Sequence, residues 1–284
     1  MNPDGPGDAQ EVLHYLTAMS YGITRLKELP LSLRLIREIH ERLLSGVRGS
    51  ERTPGDLRSS QNWIGPAGCT LMNASFVPPP PEEMKTALGQ LEGFLHSARF
   101  MPTLVKVGIA HSQFETLHPF LDGNGRVGRL LITFLLCEKQ VLQRPLLYLS
   151  HYFKQNRSEY YDRPQAVRDE GDWESWLKFF LRGVAEVADE ATDLARSIVQ
   201  LREEHREVVR RTLGKSAARG LQLLESLYEK PVVSVKSVTE LVGISFPNAN
   251  LLIDRLAKLE ILQETSGNRR NRVFAYQPYL TLFN

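Results

Sequence analysis

The chain has 284 residues, with 35 lysines and arginines against 33 aspartates and glutamates, so its formal net charge is +2. A charge this close to neutral argues against a generally polybasic nucleic-acid binder, although it is compatible with a local basic patch. Cys69 and Cys137 follow no metal-ligand spacing, and no signal-peptide pattern opens the chain. We therefore expect reduced cysteines and a cytoplasmic protein without a membrane-spanning segment.

The N-terminal half is predicted to be mostly helical. Residues 1–10 are expected to form a disordered lead-in, and apolar residues then repeat at intervals of three and four over 11–26 and 31–46. Residues 61–77 contain "QNWIG" and "ASFV" around a turn-rich segment, which predicts two short strands or extended arms in a hairpin-like flap. The proline run 78–81 ends that element.

Further helices are predicted by the same periodicity at 82–98, 102–118, 128–140, 157–171 and 172–213. The helix over 128–140 is strongly apolar and is expected to lie centrally in the core. The last pattern is long for a single helix, so a bend is expected within it. Pro164 is expected to kink the helix that contains it.

The C-terminal seventy residues differ in character. Three short helical patterns are followed by two β-like runs joined by "GNRRN", which is the layout of a winged helix-turn-helix. The predicted organisation is a catalytic domain over 11–205, a linker over 206–215 and a winged helix-turn-helix domain over 216–284.

The string "HPFLDGNGRVGR" at residues 118–129 carries the strongest chemical signal. Gly123 and Gly125 flank Asn124, so the backbone can approach a ligand closely just before an apolar helix. A glycine-rich turn at a helix N-terminus presents unpaired amides and the positive end of the dipole, which favours phosphate. Arg126 and Arg129 lie three apart, and both can bind phosphate oxygens with forked geometry.

Two further residues of this string suggest a reaction. Asp122 precedes the amides and could hold a magnesium ion beside phosphates. His118 lies four positions earlier and could accept a proton from a hydroxyl at neutral pH. Together these groups suit transfer of a phosphorus group from a nucleotide to a hydroxyl nucleophile.

Other interpretations of this region exist. A glycine turn before a helix is often only a turn, and a histidine at a helix end is often a cap. His111, Glu115 and His118 share one helical face and could be zinc ligands, but no fourth ligand is evident, so His111 and Glu115 are better read as buried residues that hold the loop. A Walker loop is excluded, because Val209 stands where "GKS" at 214–216 would need its first glycine.

The string resembles the motif of the Fic family, HPFx[D/E]GNGRxxR, at every specified position. The resemblance extends to "RSSQNWIG" and "FVPPPP", which are similar to the target-positioning flap of that family, and to "YLSHYFKQNRSEYYD", which is similar to its nucleotide-side segment. The C-terminal module is similar to the winged helix of many bacterial members. The implied fold is mostly α: a Fic helical core with a short β-hairpin flap, followed by a winged helix-turn-helix domain.

The resemblance implies a protein adenylyltransferase that moves AMP from ATP to Ser, Thr or Tyr hydroxyls of a target, which could include the chain itself. It implies His118 as general base and Asp122 as the Mg²⁺ ligand. The implied nucleotide-binding residues are Gly123, Asn124, Gly125, Arg126, Gly128, Arg129 and Tyr161.

Two departures from the family pattern bear on these expectations. Some relatives have an asparagine seven residues after the tyrosine, where this chain has Arg168, so the base contacts differ. Many relatives also carry an inhibitory helix with the motif [S/T]xxxE[G/N], whose glutamate pairs with the second arginine. This string is absent here, and such a helix would lie upstream of Glu11. We therefore expect an N-terminal truncation and an Arg129 without an internal carboxylate partner.

The flap and the C-terminal module each allow two interpretations. Trp63, Ile64 and Gly65 could pair with a target backbone and align its hydroxyl, or Trp63 and Ile64 could be core residues. In the C-terminal module, candidate DNA contacts are Asn248, Asn250, Arg269, Arg270 and Arg272. Against DNA, the net charge of residues 215–272 is only +3, and winged helices also bind proteins or form homodimers.

Three functions follow as alternatives. The first is AMP transfer from ATP to protein hydroxyls. The second is another phosphoryl or nucleotidyl transfer, or removal of AMP, on the same scaffold. The third is a nucleotide-sensing DNA-binding regulator without enzymatic activity.

Overall fold

The computed structural model describes residues 6–283 except 48, 67, 99, 146, 269 and 270, and for residues 6–8 only the backbone. The chain divides into two compact units, Met1–Ala188 and Asp189–Asn284. Most described residues are helical, and the strands are confined to a small sheet in the second unit. Within the described residues, no helix is both long and apolar enough to cross a lipid bilayer.

The first unit is built from helices. They are α1 (Pro6–Arg25), α2 (Leu33–Leu44), α3 (Pro81–His96), α4 (Thr103–Leu117), α5 (Asn124–Glu138), α6 (Leu149–Gln155), α7 (Arg157–Glu170) and the first part of α8 (Trp173–Thr212). Pro81 begins α3, at a position where a backbone N–H would have no acceptor within the helix, so proline costs no hydrogen bond there. Ser32 caps α2, because its side chain accepts a hydrogen bond from the amide of Leu35.

Helix α5 lies at the centre of the first core, as its apolar pattern predicts. Seven of its apolar side chains and Thr133 are buried; the apolar ones are Val127, Leu130, Leu131, Ile132, Phe134, Leu135 and Leu136. Helix α4 packs along α5, and α1 packs on α2. Because α5 is enclosed, its N-terminus and the loop before it are held firmly by surrounding helices.

Several boundaries differ from the sequence expectations. Helix α1 already includes residues 6–10, which were expected to belong to a disordered lead-in; residues 1–5 lie outside the described residues. Helix α7 runs through Pro164, which is buried inside it. Helix α8 is a single helix of 40 residues, so it covers residues 206–212 of the expected linker, and the division between the units lies earlier, after Ala188. Hydrophobic periodicity does not reveal a unit boundary that falls within a continuous helix.

The expected flap hairpin is reduced to one bridge. Ile64 and Phe76 pair antiparallel, with the amide of Ile64 donating to the carbonyl of Phe76 at 2.8 Å and the reverse bond at 3.0 Å. Thr70 and Asn73 close a short 3-10 turn between these residues. Pro66 has no amide to donate and Gly68 has a positive φ, so a longer ladder is interrupted immediately after the bridge.

The second unit follows the predicted order of elements. It contains α9 (Ala217–Leu227), β1 (Val232–Ser234), α10 (Val235–Val242), α11 (Phe246–Lys258), β2 (Gln263–Glu264), β3 (Val273–Ala275) and α12 (Gln277–Thr281). The antiparallel sheet has the order β1-β3-β2, with Phe274 opposite both Val233 and Glu264. Strand β1 and helix α12 are additional to the prediction. This helix–strand–helix–helix–strand–strand order is compatible with a winged helix-turn-helix, which stays a prediction.

Candidate active site

The loop between α4 and α5 has two residues in the left-handed backbone region. His118 ends α4 with φ 45° and ψ 60°, and Gly123 precedes α5 with φ 79°. Asn124 closes the turn with its side chain: its Oδ1 accepts from the amide of Phe120 at 2.9 Å, and its Nδ2 donates to the carbonyl of Phe120 at 2.8 Å. The motif asparagine therefore shapes the loop with its side chain.

The amides at the start of α5 form the candidate anion site. The first turn of a helix leaves its amides without intrahelical acceptors, and here the first bond along α5 runs from the amide of Val127 to the carbonyl of Gly123 at 3.0 Å. The amides of Asn124, Gly125 and Arg126 therefore lie at the positive end of the α5 dipole. Because the Asn124 side chain is used by Phe120, its contribution to an anion site comes from its backbone.

Asp122 and Arg126 lie next to these amides. Oδ1 of Asp122 accepts from the amide of Gly123 at 2.5 Å and lies 3.6 Å from Nη2 of Arg126, whose Nη1 lies 3.6 Å from Glu11. The Asp122 side chain is about one-third exposed, at 36%. A single accessible carboxylate beside phosphate-binding amides suits Mg²⁺, which keeps most of its waters and takes its remaining ligands from phosphates.

His40 on α2 anchors the loop between α4 and α5. Its part in the site was not predicted from the sequence. Its Nδ1 accepts from the amide of Gly55 at 2.8 Å, so the proton of the neutral ring lies on Nε2, which donates to the carbonyl of Asp122 at 3.0 Å. The ring stacks on Phe120 with centroids 3.7 Å apart. Burial lowers the pKa of His40 to about 4, so the ring is neutral at pH 7.

His118 is largely buried at the end of α4. Burial is the main cause that lowers the pKa of His118 to about 4, and the nearby charge of Arg58 acts in the same direction. Its backbone carbonyl accepts from Nε of Arg58 at 3.0 Å and from Nδ2 of Asn62 at 3.3 Å. At neutral pH the imidazole is therefore uncharged and has a lone pair available to accept a proton.

His111 and Gly128 join α4 to α5. Nδ1 of His111 donates to the carbonyl of Gly128 at 2.9 Å, and Nε2 accepts from the hydroxyl of Tyr160 at 3.0 Å. Both ring nitrogens are thus engaged, which supports the reading of His111 as a buried residue that holds the loop. In the part of the chain that the structure describes, no group of three histidine, cysteine or acidic side chains is arranged to hold a metal.

Glu115 is a buried carboxyl group one turn before His118. A Cβ on Gly128 would lie 2.3 Å from its Oε1, so the glycine makes room for this carboxyl. Burial raises the pKa of Glu115 to about 7, while Arg129 and Arg168 oppose that rise. The expectation of an Arg129 without an internal carboxylate partner did not consider Glu115, whose pKa the charge of Arg129 lowers.

Arg126 and Arg129 also border a cavity of about 420 Å³. Its walls are mainly apolar and come from α1, α5 and the segment before α6; they include Tyr15, Leu16, Met19, Ile132, Leu147 and Tyr148. The two arginines of the first turns of α5 thus also line this cavity.

The nucleotide-side residues lie on α7. Tyr161 is 52% exposed, and the guanidinium of Arg157 lies 5.7 Å from its ring centre. Its neighbour Tyr160 is buried against His111. Arg168 donates to Thr116 at 3.3 Å and lies 4.0 Å from the ring centre of Phe76, so it links α7 to α4 and to the flap.

The flap residues are accessible. Trp63 is 42% exposed, and its Nε1 donates to the carbonyl of Cys69 at 3.0 Å, which excludes the interpretation of Trp63 as a core residue. Ile64 is half-buried and engaged in the bridge to Phe76, whereas Gly65 is exposed.

The candidate DNA contacts of the second unit are only partly available. Asn248 is exposed on α11, but Arg272 donates to Asn250 at 2.8 Å and to Asp254 at 3.2 Å, so Asn250 and Arg272 are engaged with each other and with an acid. Arg269 and Arg270 lie outside the described residues. The exposed face of α11 also presents Phe246, which is 60% exposed, and an apolar face of this kind is unusual for contact with DNA phosphates.

Comparisons with known proteins agree with this geometry. Residues 30–136 match the family model described as Fic/DOC family. The chain is 34% identical over 166 residues to a protein adenylyltransferase Fic from Aedes aegypti, covering 58% of this chain and 29% of that protein. It is 32% identical over 144 residues to a probable protein adenylyltransferase from Aquifex aeolicus (strain VF5), covering 49% of this chain and 42% of that one. The chain thus spans less than half the length of both relatives.

Two solved structures have a similar fold. A Fic family protein from Desulfovibrio desulfuricans G20 aligns with a TM-score of 0.59 at 19% identity, covering 96% of this chain and 76% of that one. A Fic domain-containing signaling protein from Bacteroides thetaiotaomicron VPI-5482 aligns with a TM-score of 0.54 at 19% identity, covering 67% and 74%. At this identity the two structures support the fold alone.

Proposed function

Because residues 30–136 match the Fic/DOC family model, we propose that this chain is a protein adenylyltransferase that transfers AMP from ATP to hydroxyl groups of a target protein. The observation that carries the proposal is one loop that joins a neutral imidazole at the end of α4 to the bare amides, the carboxylate and the arginine at the start of α5. The similar proteins named protein adenylyltransferases support AMP as the group that is transferred.

In this proposal the amides of Gly123, Asn124 and Gly125 bind the α- and β-phosphates of ATP, and the Gly123 amide exchanges its 2.5 Å hydrogen bond to Asp122 for a phosphate oxygen. They stabilise the charge that develops on the phosphate oxygens as the bond to diphosphate breaks. Arg126 and Arg129 bind the phosphate tail, and Arg126 exchanges its 3.6 Å contact with Asp122 for phosphate oxygens. Tyr161 lies beside the base, and the exposed ring supports this role.

His118 acts as the general base. Its neutral imidazole accepts the proton of a Ser, Thr or Tyr hydroxyl while the hydroxyl oxygen attacks the α-phosphorus, and diphosphate leaves. Asp122 would hold Mg²⁺, which supplies neutralisation of phosphate charge. Trp63, Ile64 and Gly65 would align the backbone of the target, which is consistent with their accessible position in the flap.

The test uses the full chain, ATP labelled at the α- or the γ-phosphate, Mg²⁺ and a protein lysate. We expect label from the α-phosphate to become attached to protein, and His118→Ala to lower the rate by more than about 100-fold, because a general base contributes that much. Binding of a non-hydrolysable ATP analogue should change less than about threefold, since the imidazole is not a phosphate ligand.

His96→Ala is the matched control, because His96 is exposed at the end of α3 and does not belong to the loop between α4 and α5. It should retain full transfer. Attachment of the γ-label would indicate phosphorylation, and a His118→Ala variant that still transfers AMP at the wild-type rate would contradict the assigned base. ATP binding without any transfer would favour the nucleotide-sensing regulator.

A further inference from the structure

Arg58 is a fully buried cation whose hydrogen-bond acceptors, among the described residues, are all backbone carbonyls. Its Nε donates to His118 at 3.0 Å, Nη1 donates to Ser60 at 3.2 Å, and Nη2 donates to Pro79 and, at 3.4 Å, to Leu117. A buried charge is costly unless its partners are well arranged. Two of the four partners, the carbonyls of Leu117 and His118, lie at the C-terminus of α4, where the helix dipole is negative.

These four carbonyls belong to two different parts of the molecule. Ser60 and Pro79 stand immediately outside the flap at 61–77, one at each root, whereas Leu117 and His118 close helix α4. The amide of Arg58 also donates to the carbonyl of Pro119 at 2.9 Å. One side chain therefore connects both roots of the flap to the loop that carries the general base.

Asn62 makes a second connection. Its Nδ2 donates to the carbonyl of His118 at 3.3 Å and to the carbonyl of Phe120 at 3.0 Å. Gln61 holds the two roots of the flap together, because its Nε2 donates to the carbonyl of Pro78 at 2.8 Å. The base of the flap is thus bound to the catalytic loop, whereas Trp63 beyond it is exposed.

The His118 backbone needs such support. A left-handed conformation costs a non-glycine residue about 1–2 kcal/mol, and it persists only where the surroundings hold it. Two donors on one carbonyl, Nε of Arg58 and Nδ2 of Asn62, set the peptide plane that follows His118. That plane and the Cα of His118 together determine the direction in which the imidazole leaves the helix end.

We propose that Arg58 and Asn62 are positioning residues that couple the flap to His118, so that a target bound along the flap presents its hydroxyl to an imidazole of matching orientation. This inference rests on the proposed adenylyl transfer with His118 as base. Neither residue is assigned contact with ATP or with the target hydroxyl. Their effect is therefore expected in the transfer step rather than in nucleotide binding.

The main variant is Asn62→Ala, which removes both hydrogen bonds from Asn62 to the loop and leaves Arg58 in place. We expect kcat for transfer of α-labelled AMP to fall about 10- to 100-fold, because a small misalignment of reacting groups costs this much. The KM for ATP and the affinity for a non-hydrolysable analogue should stay within about twofold. Arg58→Lys keeps the charge but loses the fork that joins four carbonyls, so it should behave in the same way.

Arg37→Lys is the matched control. Like Arg58, Arg37 donates its Nε to a backbone carbonyl, in this case that of Gly55 at 2.7 Å. Arg37 also pairs with Asp56 at 2.9 Å, and its side chain is half exposed. The same substitution there should leave kcat and KM unchanged. Circular dichroism and the thermal midpoint of every variant show whether it is folded.

The pH profile separates positioning from general structural damage. The charge of Arg58 helps to lower the pKa of His118, as does that of Arg168, while Asp122 opposes them. Arg58→Met removes one of these charges, so the acidic limb of kcat/KM should move to higher pH. Asn62→Ala and Arg58→Lys retain the charge, so their acidic limbs should stay at the wild-type position while kcat falls.

The outcomes distinguish this inference from the function on which it rests. If the wild-type chain transfers no AMP, or if His118→Ala transfers at full rate, the proposed function fails. If the wild type transfers AMP and a folded Asn62→Ala or Arg58→Lys keeps its full kcat, the positioning role is overturned. A loss in ATP affinity equal to the loss in kcat would also overturn it. Should Arg58→Met not fold, the decision rests on the other two variants.

Discussion

At the scale of single residues, the side chain of the motif asparagine serves the fold. Asn124 is buried, and its amide group satisfies both the N–H and the carbonyl of Phe120. A sequence motif shows that an asparagine stands between two glycines, but it does not show which way the side chain points. The structure assigns the side chain to the turn and the backbone amide to the anion site.

Asn124→Ala should destabilise the first unit by about 1–3 kcal/mol, because it leaves the buried amide of Phe120 without an acceptor. Urea unfolding followed by circular dichroism measures the change. Asn73→Ala is the comparison, since Asn73 is exposed and bonds only within the flap turn, and it should cost less than about 0.5 kcal/mol. Equal losses in the two variants would contradict the role assigned to Asn124.

At the scale of elements, α4 and α5 meet where Gly128 faces Glu115. Helix propensity alone favours alanine over glycine by about 1 kcal/mol within a helix. At Gly128, however, an added Cβ would lie 2.3 Å from Oε1 of Glu115 and 3.3 Å from the ring of His111. We expect steric overlap with this carboxyl group to outweigh that propensity, because Glu115 and His111 are both buried.

Gly128→Ala should therefore lower the thermal midpoint, with a destabilisation of about 1–3 kcal/mol. Gly93→Ala in α3 provides the matched case, since nothing lies within 4 Å of a Cβ built there, and it should stabilise by about 0.5–1 kcal/mol. Scanning calorimetry shows whether the thermal midpoint falls in Gly128→Ala and rises in Gly93→Ala. A rise of the midpoint in both would mean that Glu115 does not occupy the space beside Gly128.

At the scale of the whole molecule, the first unit contains three largely buried histidines that are neutral at pH 7. The pKa of each of His40, His111 and His118 is lowered to about 4, mainly by burial. Glu115 acts in the opposite direction, because its pKa is raised to about 7 by burial. Protonation therefore affects the folded and unfolded chains differently over the mildly acidic range.

The direction in which stability changes with pH depends on whether the folded or the unfolded chain binds more protons. Below about pH 6.5 the unfolded chain protonates the three histidines while the folded chain does not, so stability falls. Between about pH 7 and 4.5 the folded chain protonates Glu115 first, which offsets one of the three. The net difference is about two protons, so stability of the first unit should fall by about 3 kcal/mol per pH unit near pH 5.5.

Urea unfolding at pH 7.0, 6.0 and 5.0 measures this slope. His111→Gln removes one buried titrating ring, so it should reduce the slope to about one proton even if it lowers stability overall. His96→Ala, at an exposed position, should leave the slope unchanged. A stability of the wild type that does not vary between pH 6.5 and 5 would show that these rings are not held neutral.

The sequence alone determined the helical class, the position of the glycine-rich loop before α5, and the three helices and two last strands of the second unit. These features depend on local signals: the spacing of apolar residues, the proline run before α3, and glycines beside a helix start. Hydrophobic periodicity extends over one helix, so it also predicted that α5 would be buried in the core.

Only the tertiary structure decided which residues hold His118 and Asp122 in place. His40 and Arg58 reach the loop from 82 and 60 positions away along the chain, and in the sequence they look like any histidine or arginine near a helix. The flap bridge and the unit boundary inside α8 are likewise decided by pairing and packing across the chain. Buried polar groups must find partners wherever the fold brings them, and those partners have no fixed spacing in sequence.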